Sequence, residues 1–290
     1  MSTILVTGAN GQLGSELREL SSSYGEHHFI FTCKDDLDIT QQKELEQYFE
    51  ENTIDVIINC AAYTAVDKAE EEAFLADTIN HQGVKHLALI AKQRGIKLIH
   101  ISSDYVFDGK HFMPYKETDE PNPISVYGTS KRAGEQAILE INPQGSIILR
   151  TSWVYSSYDA NFVKTMLSLG AEKESLTVIY DQVGAPTYAR DLAKVILEII
   201  PRLTHEGVEI FHYANEGVLS WFDFAKEIMK MAKLTCTIMP IETHQYPLPA
   251  KRPQYALLNK SKIKEHYELE IPYWKDSLKE CLIKMGICYK

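Results

Sequence analysis

Residues 7–14 read Thr7-Gly8-Ala9-Asn10-Gly11-Gln12-Leu13-Gly14. The stretch follows an apolar run at residues 4–7 and opens an amphipathic one at residues 12–20, so it is a turn between a strand and a helix. Glycines at 8, 11 and 14 permit a tight turn and let the backbone approach a ligand closely. The amides of a helix's first turn have no partner inside the helix, and they face an anion well. A glycine triplet alone marks only a turn and a helix start. Directly after the first strand it marks a dinucleotide-binding loop, here spaced GxxGxxG rather than GxGxxG. Gly8, Asn10, Gly11, Gln12, Leu13 and Gly14 are therefore candidate cofactor residues.

Further along the chain, short runs that are apolar on both faces recur at residues 29–32, 56–59, 97–102 and 146–151. Such runs suit a buried parallel sheet. Amphipathic segments at 12–20, 41–51 and 74–94 separate them, and Gly95 stops the last as a C-cap would. This alternation predicts an α/β fold, a Rossmann-type doubly wound parallel sheet with a smaller C-terminal substrate-binding lobe. The expected division is a dinucleotide-binding domain over 1–150 and, over 151–290, mostly the substrate-binding lobe, with some segments returning to the sheet. Beyond residue 151 helices are expected at 161–169, 189–200, 221–231 and 274–284. Pro240, Pro247, Pro249 and Pro253 are expected to break the stretch before the last helix into a loop. Trp221 and Trp274, at helix starts, read as core or lobe-packing residues.

Composition narrows the function. Of the 290 residues 44% are apolar and 24% charged, the balance of a globular chain that buries a substantial core. A net charge of −10 argues against a nucleic-acid or anionic membrane partner. No apolar run reaches the roughly 18 residues of a membrane span, and Met1-Ser2-Thr3 leads into a strand without a signal-like basic region. The five cysteines lack paired spacing, which suggests reduced thiols in a cytoplasm and no zinc framework. The ten histidines lack ligand spacing, and His100, inside a strand, reads as a packed core residue. No metal site is expected, and a requirement for Mg2+ stays open.

The second motif is Tyr127-Gly128-Thr129-Ser130-Lys131. Positions i and i+4 share a helix face, so the Lys131 ammonium is expected beside the Tyr127 phenol, where it would favour the phenolate. Paired with a nicotinamide this is a hydride-transfer site, in which the cofactor supplies the hydride and Tyr127 the proton. The strand ending Ser102-Ser103-Asp104 supplies a hydroxyl beside it. Ala61 and Ala62, with Tyr63, follow the third strand where small residues leave room for a cofactor, and Asp38-Ile39 follows the second near the adenine end.

Taken together, these motifs resemble the extended short-chain dehydrogenase/reductase superfamily. The strings Asn59-Cys-Ala-Ala-Tyr-Thr-Ala-Val-Asp, Ser102-Ser-Asp-Tyr-Val-Phe-Asp-Gly, Arg150-Thr-Ser-Trp-Val-Tyr, Asp181-Gln-Val-Gly-Ala-Pro-Thr and Pro249-Ala-Lys-Arg-Pro resemble, within it, the dTDP-4-dehydrorhamnose reductase family, nearly end to end. The resemblance implies an NAD(P)H-dependent oxidoreductase that reduces the 4-keto group of dTDP-4-dehydro-L-rhamnose. It implies Tyr127 as general acid, Lys131 as its partner and holder of the nicotinamide ribose, and Ser103 on the substrate carbonyl, where many relatives have Thr. Asp104 and Trp153 would line the sugar pocket. Asn161, Arg190 and Arg252 are candidates for the nucleotide end, because a diphosphate suits guanidinium forks. The partner is thus a small nucleotide sugar, and assembly as a homodimer stays open.

Two other readings compete. A binding protein on the same scaffold, similar to the regulatory subunit of methionine adenosyltransferase, has less reason to keep a complete Tyr127, Lys131 and Ser103 set. An epimerase or dehydratase of the superfamily would hold NAD tightly, and no second acid/base pair beside Ser103-Asp104 suggests a dehydratase. On cofactor choice, the place for a ribose-binding carboxylate, about 20 residues beyond the glycine loop, falls at Cys33, with Lys34 next. NADPH is therefore expected over NADH, with Lys34 on the 2′-phosphate. Use of both stays open, because Asp35 and Asp36 follow closely.

Overall fold

Strands that are apolar on both faces need cover on both. The computed structural model describes residues 1–288. In chain order it runs β1 (Thr3–Thr7), α1 (Gln12–Leu20), β2 (His28–Thr32), α2 (Gln42–Glu51), β3 (Val56–Asn59), α3 (Val66–Ala69), α4 (Ala73–Asp77), α5 (Val84–Arg94), β4 (Lys97–Ser103), α6 (Val126–Ile141) and β5 (Ser146–Thr151). Then follow β6 (Val154–Tyr155), α7 (Phe162–Glu172), β7 (Ser175–Ile179), β8 (Val183–Gly184), β9 (Thr187–Tyr188), α8 (Ala189–Ile199) and β10 (Val208–Tyr213). The chain continues with β11 (Leu219–Ser220), α9 (Trp221–Met231), β12 (Thr237–Ile241), α10 (Ser261–Tyr267) and α11 (Trp274–Lys284).

Six strands form one sheet in the order β2-β1-β3-β4-β5-β10, every pair parallel. Ile4 and Val6 of β1 face α1, α8 and α10, where Leu13, Leu17, Leu192, Ile196 and Ile263 are buried against them. Leu5 points the other way, into a second core with Leu45, Phe49, Leu87, Ala91 and Ile138 from α2, α5 and α6. Each fully buried leucine contributes about 1.5–3 kcal/mol, so the two faces together hold the sheet. The strand order reverses between β1 and β3, and the crevice at their C-terminal ends is where open α/β sheets hold ligands.

Two stretches depart from the expected elements. The helix expected over 74–94 is divided into α4, a π-helical segment Thr78–Gly83, and α5. The wider turn presents buried Asn80, whose carboxamide accepts from the Tyr63 N–H at 2.9 Å and donates to Ser130 Oγ at 3.0 Å. The proline-rich loop starts later than expected, because residues 237–241 form β12, parallel to β7. Pro240 is tolerated there because the ribbon has only two strands, so the missing N–H can face away from the partner.

Residues beyond 151 serve both halves of the molecule. β10, α8 and α10 complete the sheet and its cover. The helices α7, α9 and α11 build a separate core around Val163, Phe224, Ile228, Trp274 and Leu278. A buried ion cluster joins the halves: Glu16 of α1, wholly buried, accepts from Ser156 Oγ at 2.7 Å, Arg190 Nη1 at 3.1 Å and Lys284 Nζ at 2.7 Å. Among the described residues no helix is long and apolar enough to cross a membrane.

Candidate active site

The crevice at the sheet's C-terminal edge is a cavity of about 700 Å³. Its floor is the glycine loop. Gly8 has φ +64°, and a Cβ there would lie 2.5 Å from the Ala61 nitrogen; at Gly14 a Cβ would meet Ala9 Cα at 2.5 Å. The loop is therefore packed to the limit against the small residues after β3 and against its own helix. Gly11 caps α1 without a side-chain bond, which leaves the first amides of the helix open toward the cavity. The Gln12 Oε1 atom is buried with no partner. A loop that excludes a Cβ at Gly8 and Gly14, open amides and an orphaned polar atom together fit a dinucleotide pyrophosphate.

Ser125 caps α6, its Oγ accepting the Gly128 N–H at 3.1 Å. A Cβ at Gly128 would lie 2.2 Å from the Tyr105 carbonyl oxygen, so glycine lets the helix start against the turn after β4. That contact carries Tyr127 to Ser103 and Asp104. The Ser103 Oγ donates to Asp104 Oδ1 at 2.9 Å and accepts the Tyr105 N–H at 3.2 Å. Asp104 is buried and its Oδ2 has no partner; burial pushes its carboxyl up to about 7. Burial, with the neighbouring Asp104 adding to it, pushes the Tyr127 phenol up to about 12. Lys131 is also buried, and its Nζ donates to the Ile101 carbonyl at 2.7 Å rather than to the phenol. Burial brings it down to about 8. The expected pull toward phenolate thus gives way to burial, and Tyr127 keeps its proton, as a general acid must.

The cavity gathers most of the residues singled out in the sequence: Gly8, Asn10, Gly11, Gln12, Leu13, Gly14, Lys34, Asp38, Ile39, Ala61, Ala62, Ser103, Asp104, Tyr127, Lys131 and Trp153 line it. Four candidates lie elsewhere. Tyr63 turns away and donates its hydroxyl to Glu72 at 2.6 Å. Asn161 caps α7, accepting from the Lys164 N–H at 3.2 Å. Arg190 is held by Glu16 at 3.1 Å and Glu19 at 2.7 Å, one turn apart on α1. Arg252 pairs with Asp67 at 2.6 Å and lines a second cavity, of about 350 Å³, with Asp108, Gln182 and Tyr246.

Trp221, expected as a core or lobe-packing residue, does pack against the core of the C-terminal lobe, and it also lines the main cavity. Its ring stacks on Trp153 with centroids 3.7 Å apart. Trp153 itself has φ +48°, unusual for a bulky residue, and glycine at 184 leaves room for its indole, since a Cβ there would come within 2.9 Å. Only the sequence around Trp153 carried a signal. Trp221 reaches it from another element, and its own neighbourhood shows no motif. Among the described residues no group of three or more His, Cys, Asp or Glu is placed to hold a metal ion.

A family model described as the RmlD substrate binding domain matches residues 1–287. The chain is similar to the dTDP-4-dehydrorhamnose reductase of Aggregatibacter actinomycetemcomitans, with 40% identity over 288 residues, 96% of this chain and 98% of the relative. It is also similar to the crystal structure of a dTDP-4-dehydrorhamnose reductase from Clostridium acetobutylicum, with a TM-score of 0.94 and 42% identity over 98% of this chain and 99% of that one. Another similar structure is the Bacillus anthracis dTDP-4-dehydrorhamnose reductase in complex with NADP, with a TM-score of 0.93, 39% identity and the same coverage.

Proposed function

The chain belongs to the RmlD substrate binding domain family, that of the dTDP-4-dehydrorhamnose reductases, and from that premise we propose how its cavity works. It is an NAD(P)H-dependent oxidoreductase that reduces the 4-keto group of dTDP-4-dehydro-L-rhamnose to give dTDP-L-rhamnose. Bound along the glycine loop, the reduced nicotinamide supplies the hydride for the carbonyl carbon. Tyr127 donates its phenolic proton to the carbonyl oxygen, and Ser103 holds that oxygen by turning its one hydroxyl proton to it from Asp104 Oδ1. Asp104 Oδ2, an orphan in the free protein, takes a hydroxyl of the sugar; leaving a buried acceptor unpaired costs about 1–3 kcal/mol, which binding relieves. Trp153 and Trp221 offer the apolar wall against which a deoxysugar packs. The second cavity, with Arg252 beside it, is the place for the nucleotide end.

The observation that carries this reading is the meeting of Tyr127, Ser103 and Asp104 in the cavity that also holds the glycine loop. NADPH is the preferred reductant. Asp35 and Asp36, the carboxylates that could bind ribose hydroxyls, do not line the cavity, and Asp36 is turned onto its own loop, where it accepts from Cys33 N at 2.9 Å and Cys33 Sγ at 3.0 Å. Asp38 is engaged by Thr40, whose N–H it accepts at 2.9 Å. Lys34 remains on the cavity wall to meet a 2′-phosphate. The test is the near-ultraviolet absorbance of NADPH mixed with dTDP-4-dehydro-L-rhamnose and the purified protein. A steady loss in proportion to protein is expected; tight nucleotide binding without turnover overturns the mechanism.

A further inference from the structure

Four polar side chains run in file beneath the cavity, from the cofactor loop to Lys131. Thr7 ends β1, Asn59 ends β3, His100 lies inside β4, and all are buried. Thr7 Oγ1 donates to Asn59 Oδ1 at 2.7 Å, and the Ala61 N–H donates to the same oxygen at 3.2 Å. A backbone N–H can only donate, so the carboxamide is fixed with its oxygen toward Ala61. Its nitrogen then faces His100 Nδ1 at 3.0 Å. An amide nitrogen also only donates, so Nδ1 carries the lone pair and a neutral ring bears its proton on Nε2. A second ring proton is not an escape, because burial, and after it the Lys131 charge, hold His100 well below the usual histidine range.

That Nε2 lies 3.4 Å from Lys131 Nζ. An N–H aimed at an ammonium meets only other donors, whereas an amine offers it a lone pair. We infer that His100 is a positioning residue of the reduction, its Nε2–H oriented from Thr7 through Asn59 so that Lys131 is biased to release a proton. The inference rests on Tyr127 as proton donor. The Tyr127 O–H bond breaks and its proton goes to the sugar oxygen. Lys131, which donates to the Ile101 carbonyl in the free protein, then swings an N–H to the phenolate. It gives the phenolate that proton and becomes an amine that accepts the His100 N–H; a solvent proton restores the ammonium. The transfer runs downhill, from a lysine brought to about 8 toward a phenol pushed up to about 12.

The other groups around Nζ do not substitute for the ring. Glu135, on α6 with Lys131, favours the charged form, and its own charge is held by Arg150 at 2.7 Å and by the Ser102 hydroxyl at 2.6 Å. Cys60, from the loop after β3, is pushed up to about 12 by burial and stays a thiol. From β4 the Ile101 carbonyl accepts from Nζ, and Tyr127, one turn back on α6, is neutral.

Two spectra of the purified protein test this without reference to turnover. Nitrogen-15 histidine NMR should show His100 protonated on Nε2 alone at neutral pH; a proton on Nδ1, or on both nitrogens, overturns the inference. With lysine labelled at Cε, the Lys131 signal, identified by its loss in Lys131→Met, should titrate near 8 rather than at 10.5. In His100→Phe that midpoint should rise by about one unit or more, a factor of about ten in proton affinity, and the alkaline limb of kcat should move with it. An unmoved midpoint overturns the inference. In a second variant, Asn59→Asp, the carboxylate accepts where the amide donated, and the ring proton should move to Nδ1; a proton that stays on Nε2 overturns it. Should Tyr127→Phe keep full activity, the proton-donor reading falls, while the two spectra still decide the state of His100 and Lys131.

Discussion

A phenol that keeps its proton at neutral pH and lies beside a buried serine hydroxyl is suited to donating, and the sharpest prediction concerns it. Tyr127→Phe should lower kcat by roughly 10²–10⁴-fold with NADPH affinity nearly unchanged, measured by steady-state kinetics and cofactor titration; near-normal turnover would remove Tyr127 from the mechanism. The tryptophan pair gives a second. Trp221→Ala removes the ring stacked on Trp153 and should raise KM for the nucleotide sugar while leaving KM for NADPH alone. Equal losses in both, with a lower Tm, would make the pair structural. Tyr127 and Lys131 were legible from their spacing and Ser103 from its place at a strand end, whereas Asp104 came only with the family resemblance. Trp221 was not, since it meets Trp153 only through the packing of α9. Arg190 misleads for a related reason: a guanidinium suits any anion, and nothing local to it reveals that Glu16 and Glu19 face it across the fold.

Elements differ in how much of themselves they write down. β1, β3 and β5 were readable because burial on both faces demands unbroken apolar runs, and α1 because the glycine loop announces it. The π-helical turn at Thr78–Gly83 leaves no such mark; its purpose is to seat Asn80 on Tyr63 and Ser130, far away in sequence. β12 was hidden by Pro240, because a proline's tolerance depends on strand neighbours that sequence does not show. The turn after β2 yields a prediction of its own. Cys33→Asp places a carboxylate on the cavity wall next to Lys34, so kcat/KM should fall more for NADPH than for NADH. A wild type that prefers NADH tenfold, with no change in the variant, would instead give Asp35 or Asp36 the ribose.

At the scale of the molecule, stability responds to pH through His212 and Glu19, remote from the cavity, and through Asp104 within it. Burial, with the Arg150 guanidinium beside it, brings His212 down from 6.5 to about 3. The unfolded chain therefore takes up a proton that the folded one refuses, and this contribution, complete above 6.5, is lost as pH falls toward 3. Glu19 adds a later stage: burial raises it, but hydrogen bonds from Lys284, Tyr158 and Arg190 outweigh that and bring it from 4.5 to about 2. Its stabilisation holds above 4.5 and goes as pH falls to 2. Asp104, raised from 3.8 to about 7, acts with the opposite sign between those values. Calorimetry of His212→Asn should therefore give a Tm that falls less steeply with acid than the wild type's between 6.5 and 3; parallel curves would clear His212 of the effect. The ion cluster around Glu16 has a consequence of another kind. Its carboxylate sits in α1, and Lys284, one of its partners, is added 268 residues later. Removing one partner of a buried ion pair typically costs about 3–5 kcal/mol. Until the ribosome has delivered α11, the nascent chain must therefore leave this site open to water or carry an incompletely paired anion. Docking of the two halves therefore waits for the synthesis of α11.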